Sequence, residues 1–264
     1  MSASYLKKER LLRTSKNSIR NLLQQRWMVV GLALILTSLG AALTGVLFKA
    51  GVDTLDHWRL ELLAKMPAWF LLPCLGGLGG YFAGTIITKF SPSASGSGVT
   101  HIMAFLQHRK VPMGLRVGLI KLIAGIIAIG SGFPLGPEGP AVQMGGSVAW
   151  KMAQWLKAPI AFRRVIVAAG GGAGIAAIFS APIGGFIYAI EELLNSARPV
   201  VLLLVVITTF LADTWADVFQ SLGFSSSHGG FDQSVGFQLE RQYTASINFL
   251  PIDFLYLIGL GIII

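Results

Sequence analysis

The chain has 264 residues, 53% of them hydrophobic and only 12% charged, with a mean hydropathy of +0.67. A soluble domain carries roughly twice that share of charge, so the composition excludes an ordinary soluble globular domain and points to a multi-pass membrane protein. The formal net charge of +9 does not signal nucleic-acid binding, because seven of the 21 Lys and Arg crowd ahead of Trp27 beside one acid, Glu9.

A basic cluster flanking a first span is the positive-inside signal, so residues 1–26 read as a cytoplasmic segment able to touch anionic lipid. Ser15 to Gln25 suits a short amphipathic helix there. A secretory signal is not expected, since the polar lead is long and the apolar run passes any cleavage site. Residues 27–264 read as one transmembrane domain. Trp27 to Ala50 is long enough to span, and the charged stretch Asp53 to Lys65 reads as an outer connection or a tilted helix end. Pro67 to Ile87 is the next span, with a GGLGG run that permits close helix contact. Lys89 to Ser97 is a serine-rich turn. Val99 to Leu106 is too short to cross and must be re-entrant or buried in protein. Val117 to Gly130, with Lys121 near its start, Gly139 to Trp155, Val165 to Ile178 and Ile183 to Ile190 are further short apolar pieces. The GGGAG run from Gly170 reads as helix packing, because no Lys-Ser/Thr pair follows it to hold phosphate. Val200 to Leu211 reads as lipid- or partner-facing, Ser221 to Arg241 as an exposed loop, and Phe249 opens a span that the sequence leaves at Ile264. Cys74 is the single cysteine, which rules out an internal disulfide and suggests a packed core thiol. No Cys/His grouping has metal spacing, and neither a metal nor another cofactor is expected.

Glu138 stands at the centre of GFPLGPEGPAVQMGG, and it is the only acid between Glu61 and Glu191. An ionisable group inside a membrane is costly and marks an ion or proton pathway by default. Gly136 and Gly139 permit backbone paths closed to other residues, and Pro140 suits the first turn of a helix. Glu138 then sits where unpaired amides and the positive end of the helix dipole attract an anion. The alternative is an acidic cap that merely satisfies those amides. Upstream, Ser97 is bracketed by Gly96 and Gly98 in SGSGV, a second loop able to present amides and a hydroxyl. Two broken-helix entrances in one membrane domain point to a midplane ion site.

These motifs resemble those of the CLC family of chloride channels and chloride/proton antiporters. The family's GSGIP, G(K/R)EGP and alanine-proline segment with paired glutamates stand here, in order, as GSGVT from Gly96, GPEGP from Gly136 and APIGGFIYAIEE from Ala181. The resemblance implies an all-α membrane fold of tilted, short and re-entrant helices, the first of two inverted halves, working as a homodimer that moves chloride and protons. It implies that Ser97 donates its hydroxyl to a central chloride. The backbone from Gly139 through Pro140 to Ala141 would help form an outer site, and Lys121 would add positive potential. Glu138 matches the gating glutamate, which blocks the path when ionised and admits chloride when protonated. Glu192 matches the inner proton-transfer glutamate of the antiporters, a position that channels usually fill with an uncharged residue. An interfacial ion pair of Glu191 or Glu192 with Arg198 is the plainer reading of that pair. Serine at position 97 goes with chloride, where nitrate-selective members often have proline and fluoride-selective ones asparagine.

Departures from the pattern are also specific. Thr100 replaces the proline of GSGIP, His101 and Met103 stand where some bacterial relatives carry acids, and Pro137 replaces the basic residue before the gating glutamate. The family's second half would supply a GxFxP segment and a tyrosine to the anion site, and neither has a counterpart in these residues. The expected function is therefore chloride/proton antiport, with a passive chloride channel as the alternative. An intramembrane hydrolase using Ser97 or Ser131 with His101, or a structural anchor, is the reading from another class; no enzyme activity is expected.

Overall fold

A computed structural model describes residues 3–109, 111–195 and 198–224, with side chains from Trp27 onward. Met1–Ser227 forms one compact unit, and the second, His228–Ile264, lies outside the described residues. The span expected from Phe249 falls there, as does most of the loop expected over Ser221–Arg241. Among the described residues there is no strand, and eight α-helices follow one another with short 3₁₀ and π turns.

The first helix, α1 (Ala3–Leu63), runs unbroken through the basic lead, the first span and the charged stretch beyond it. Of the two readings of Asp53 to Lys65, the helix end is the one found, whereas the short helix expected over Ser15 to Gln25 is continuous with the span. The helix continues because its charged residues turn inward: Lys49, Asp53 and Asp56 are buried, and Arg59 pairs with Asp56 one turn earlier. Its apolar part, Trp27–Leu63, has 37 residues. At 1.5 Å rise that is about 55 Å, well beyond the ~30 Å of a hydrocarbon core, so this helix must tilt or project. Pro67 then sets an extended corner before α2 (Ala68–Phe90). The α2 face is widely exposed, with Trp69, Tyr81 and Phe82 outward. Cys74 is exposed as well. The expectation of a core thiol fails because α2 has few neighbours to cover it.

A 3₁₀ turn (Pro92–Ala94) leads to the short α3 (Val99–Leu106), then α4 (Leu115–Gly130), α5 (Glu138–Trp155) and α6 (Ile160–Phe179). After α7 (Pro182–Tyr188) the chain loosens into a π turn over Ala189–Leu194 and enters α8 (Pro199–Phe219). The exposed side of α8 carries Val200, Leu203, Ile207 and Phe210, while Thr208, Thr209, Ala212 and Ala216 are buried.

The core is built on α6, where every residue from Ile166 to Ile178 is buried. Such all-round burial needs small residues, because helices in lipid associate through close packing rather than hydrophobic expulsion. A methyl on Gly170 would stand 2.6 Å from the Gly145 carbonyl oxygen, and one on Gly172 would stand 2.5 Å from that of Gly185. The GGGAG run is thus helix packing, as expected. The pairings also fix direction. From α5, Ala141 meets Gly174 and Gly145 meets Gly170; from α7 and its π turn, Gly185 meets Ala176, Ala189 meets Gly172 and Leu193 meets Gly171, where Val142 of α5 also arrives. Higher numbers on α5 and α7 meet lower numbers on α6, so both run antiparallel to it and parallel to each other.

Candidate anion site

The loop from Ser91 to Gly98 carries Ser97 between two glycines with positive φ, Gly96 at 73° and Gly98 at 94°. Gly98 is the residue before α3, and Ile102 N–H closes the first helical turn on its carbonyl at 3.1 Å. The amides of the first turn therefore have no partner within the helix. Thr100, in place of the family proline, sits in that turn without preventing it.

This loop abuts the start of α5. A methyl on Gly98 would lie 2.6 Å from the Gly139 carbonyl oxygen and 2.8 Å from Cβ of Gln143, while one on Gly139 would overlap the Ser97 carbonyl. Only glycine at both positions lets the two helix starts meet, and their positive ends face the same space. Two side chains hold the loop. Gln143 Nε2 donates to the Ser93 carbonyl at 3.0 Å, and Lys121 Nζ donates to the Ala94 carbonyl at 3.1 Å and also to that of Gly96. Lys121 is only 6% exposed. It acts as a strut under the Ser97 loop as well as a buried positive charge.

Glu138 is the first residue of α5, and its carboxylate folds back over Gly136. Pro140 has no N–H to give, and Ala141 N–H already donates to the Pro137 carbonyl at 2.9 Å. Of the backbone expected to face an anion from Gly139 to Ala141, the Gly139 amide is the one outside the helical ladder. No hydrogen bond among the described residues ties the Glu138 carboxylate to these amides, so a simple cap is not its arrangement here.

Between these elements lies a cavity of about 730 Å³. Gly96, Ser97, Lys121, Glu138, Gly139 and Pro140 line it together, while Phe133, Ile129 and Ala83 of α2 complete an apolar wall. Gly98, Ala141 and Glu192 are not among the lining residues. Glu192 is exposed on the π turn after α7, and among the described residues no ion pair joins either glutamate to Arg198. Gln143 and Phe133 escaped the sequence reading. Gln143 is a buried amide in an apolar helix, which was a usable signal, whereas Phe133 is marked only by its place in the glycine-rich loop. The serine hydrolase arrangement is absent: Ser131 Oγ donates to the Ala128 carbonyl at 2.8 Å, and His101 Nε2 lies 2.7 Å from the Pro112 carbonyl.

The family described as voltage gated chloride channel matches residues 79–264. The H(+)/Cl(-) exchange transporter ClcA of Yersinia pestis bv. Antiqua (strain Angola) is 35% identical over 166 residues, covering 59% of this chain and 34% of that protein. The transporter of the same name from Klebsiella pneumoniae (strain 342) is 31% identical over 189 residues, or 67% of this chain and 39% of that one. The chain thus spans between about a third and two fifths of the length of these relatives. Among solved structures, a slow cyanobacterial Cl-/H+ antiporter superposes with a TM-score of 0.66 at 28% identity, covering 73% of this chain and 47% of that one. A CLC-type fluoride/proton antiporter shares the fold at TM-score 0.63 and 20% identity, covering 90% and 54%. These relatives are transporters, not enzymes, and the chain belongs to the CLC family of integral membrane proteins.

Proposed function

We propose that this chain carries the first half of a chloride/proton antiporter, with chloride held at Ser97 and Glu138 competing for the same cavity. The observation that carries this reading is the shared space itself. One carboxylate, one glycine-bracketed serine, a buried lysine and two helix starts line a single cavity. An anion entering it exchanges water for amide and hydroxyl dipoles, which hold it without trapping it. The ionised Glu138 carboxylate is an anion too and occupies that field in place of chloride. A proton cancels its charge, removes its attraction for those dipoles and frees the cavity. Each proton bound therefore favours chloride entry, which couples the two ions. Glu192, on the π turn after α7, is the candidate inner proton group. The basic lead before Trp27 supports a cytoplasmic N-terminus by the positive-inside rule.

The test uses the complete protein in liposomes under a chloride gradient, with Glu192→Gln beside wild type. Uphill proton movement in wild type, lost in the variant while chloride still flows, is the expected result. Chloride flux without any proton movement in wild type would identify a passive channel and remove the role given to Glu192.

A further inference from the structure

We infer that the phenol of Tyr188 relays protons between Glu192 and Glu138, a role that rests on the antiport reading above. Any proton passing between the two glutamates must cross a stretch with almost no exchangeable groups. From Val165 to Phe179 on α6 and from Pro182 to Ile190 on α7 and its π turn, Tyr188 is the one side chain with an acidic proton. On other elements Gln143 Nε2 is committed to Ser93, Lys121 to Ala94 and Gly96, and the His101 ring to Pro112, while the buried Gln143 Oε1 and Ser147 Oγ on α5 have no partner.

The packing against α6 sets Tyr188 at an intermediate level. Ala141 meets Gly174, so Glu138, three residues earlier on the antiparallel α5, lies further toward the C-terminal end of α6. Ala189 meets Gly172 and Leu193 meets Gly171, which puts Tyr188 next and Glu192 beyond it. Tyr188 and Glu192 are four residues apart, about one helical turn or ~5–6 Å of rise. The Tyr188 side chain is half-buried, and the charges of Glu192 and Glu138 both act on it. No hydrogen bond among the described residues occupies its hydroxyl. A donor-acceptor that feels both carboxylates and is held by neither is placed to serve both.

The step balances as proton exchange alone. The O–H bond of protonated Glu192 breaks as a new one forms at the Tyr188 oxygen, directly or through one water. The original phenolic proton leaves toward the Glu138 carboxylate, where the last O–H bond forms. The phenol ends neutral, its hydroxyl rotates back, and nothing is oxidised or reduced.

Tyr188→Phe keeps the ring and deletes only the exchangeable proton. Chloride and proton fluxes would be recorded together from the complete protein in liposomes. We expect the protons moved per chloride to fall by about tenfold or more, below the ~10²–10⁴-fold that one positioned proton-transfer group contributes because water can partly bypass it, with chloride flux still above that of protein-free vesicles. An unchanged ratio would overturn the relay while leaving antiport intact. Loss of both fluxes together would also overturn it, since the hydroxyl would then be needed for the structure. Wild type moving chloride without protons would sink the antiport reading and the relay with it.

Discussion

Gly96→Ala and Gly98→Ala separate two reasons for glycine in the Ser97 loop. Both positions have positive φ, 73° and 94°, where a side chain costs about 1–2 kcal/mol. They differ in space. A methyl on Gly96 meets nothing within 4 Å, whereas one on Gly98 lies 2.6 Å from the Gly139 carbonyl oxygen and 2.8 Å from both Cβ and Oε1 of Gln143. Relieving that contact forces the starts of α3 and α5 apart by nearly an ångström, at a further ~1–3 kcal/mol for overpacking. Gly96→Ala should therefore lower stability by about 1–2 kcal/mol and leave chloride affinity within about threefold, since ~0.7 kcal/mol corresponds to that factor. Gly98→Ala should lose about 2–5 kcal/mol in stability. It should also weaken chloride binding by about tenfold or more, because 1.4 kcal/mol of site distortion suffices for that. Thermal unfolding of the complete protein in detergent gives the first quantity, and calorimetric chloride titration gives the second. If Gly98→Ala bound chloride as wild type does, the meeting of the two helix starts would not form the anion site.

Other perturbations address the remaining parts. Glu138→Gln fixes the side chain neutral, so chloride flux should no longer rise as pH falls and proton coupling should vanish; a retained pH dependence would move the gate elsewhere. Lys121→Met removes two charge-assisted hydrogen bonds to the Ser97 loop, each worth about 1.5–3 kcal/mol. Because the buried charge also loses its desolvation cost, unfolding temperature should change little while chloride affinity drops; the reverse pattern would make Lys121 purely structural. Gly174→Val should prevent accumulation of folded protein, because even a methyl there overlaps the Ala141 carbonyl; a normally folded variant would contradict the α5–α6 packing. Pro137→Arg restores a mouth charge and should speed chloride entry at low salt and steepen its salt dependence. Unchanged flux at every salt concentration would mean that this charge does not govern capture.

The most legible features in the sequence were those written as local chain chemistry. The serine-rich turn ahead of Val99 and the short apolar run to Leu106 marked α3 at the bounds that the structure shows. The glycines and prolines around Glu138 marked the start of α5 within one residue. Less legible was anything decided by neighbours distant in sequence. Asp53 and Asp56 looked like surface charges because nothing local says that the face carrying Lys49 and these acids turns inward. Lys121 was read as a source of potential, but its carbonyl partners lie 25 and 27 residues upstream. Cys74 misled in the opposite sense: an apolar helix suggested a core, and its exposure follows from how little packs on α2.

The absence of a basic residue at Pro137 also bears on how such a cavity can attract an anion at all. Arg59 comes close to that loop, beside Gly132, but its charge is already paired with Asp56, so it adds little net field. Lys121 offers a full charge at the cavity wall, yet two of its three ammonium hydrogens are given to carbonyls of the Ser97 loop. What faces the cavity directly is weaker: the unpaired amides at two helix starts, each end worth about half a charge, and one serine hydroxyl. Partial charges suit a transport site better than a full ion pair, because an anion bound by a bare ammonium in an apolar wall would leave slowly. They also suit the role proposed for Glu138, in which its carboxylate wins the same field when ionised and loses it when protonated. The Lys121 hydrogen bonds thus supply long-range potential and rigidity together, while leaving short-range contact to groups from which an ion can depart.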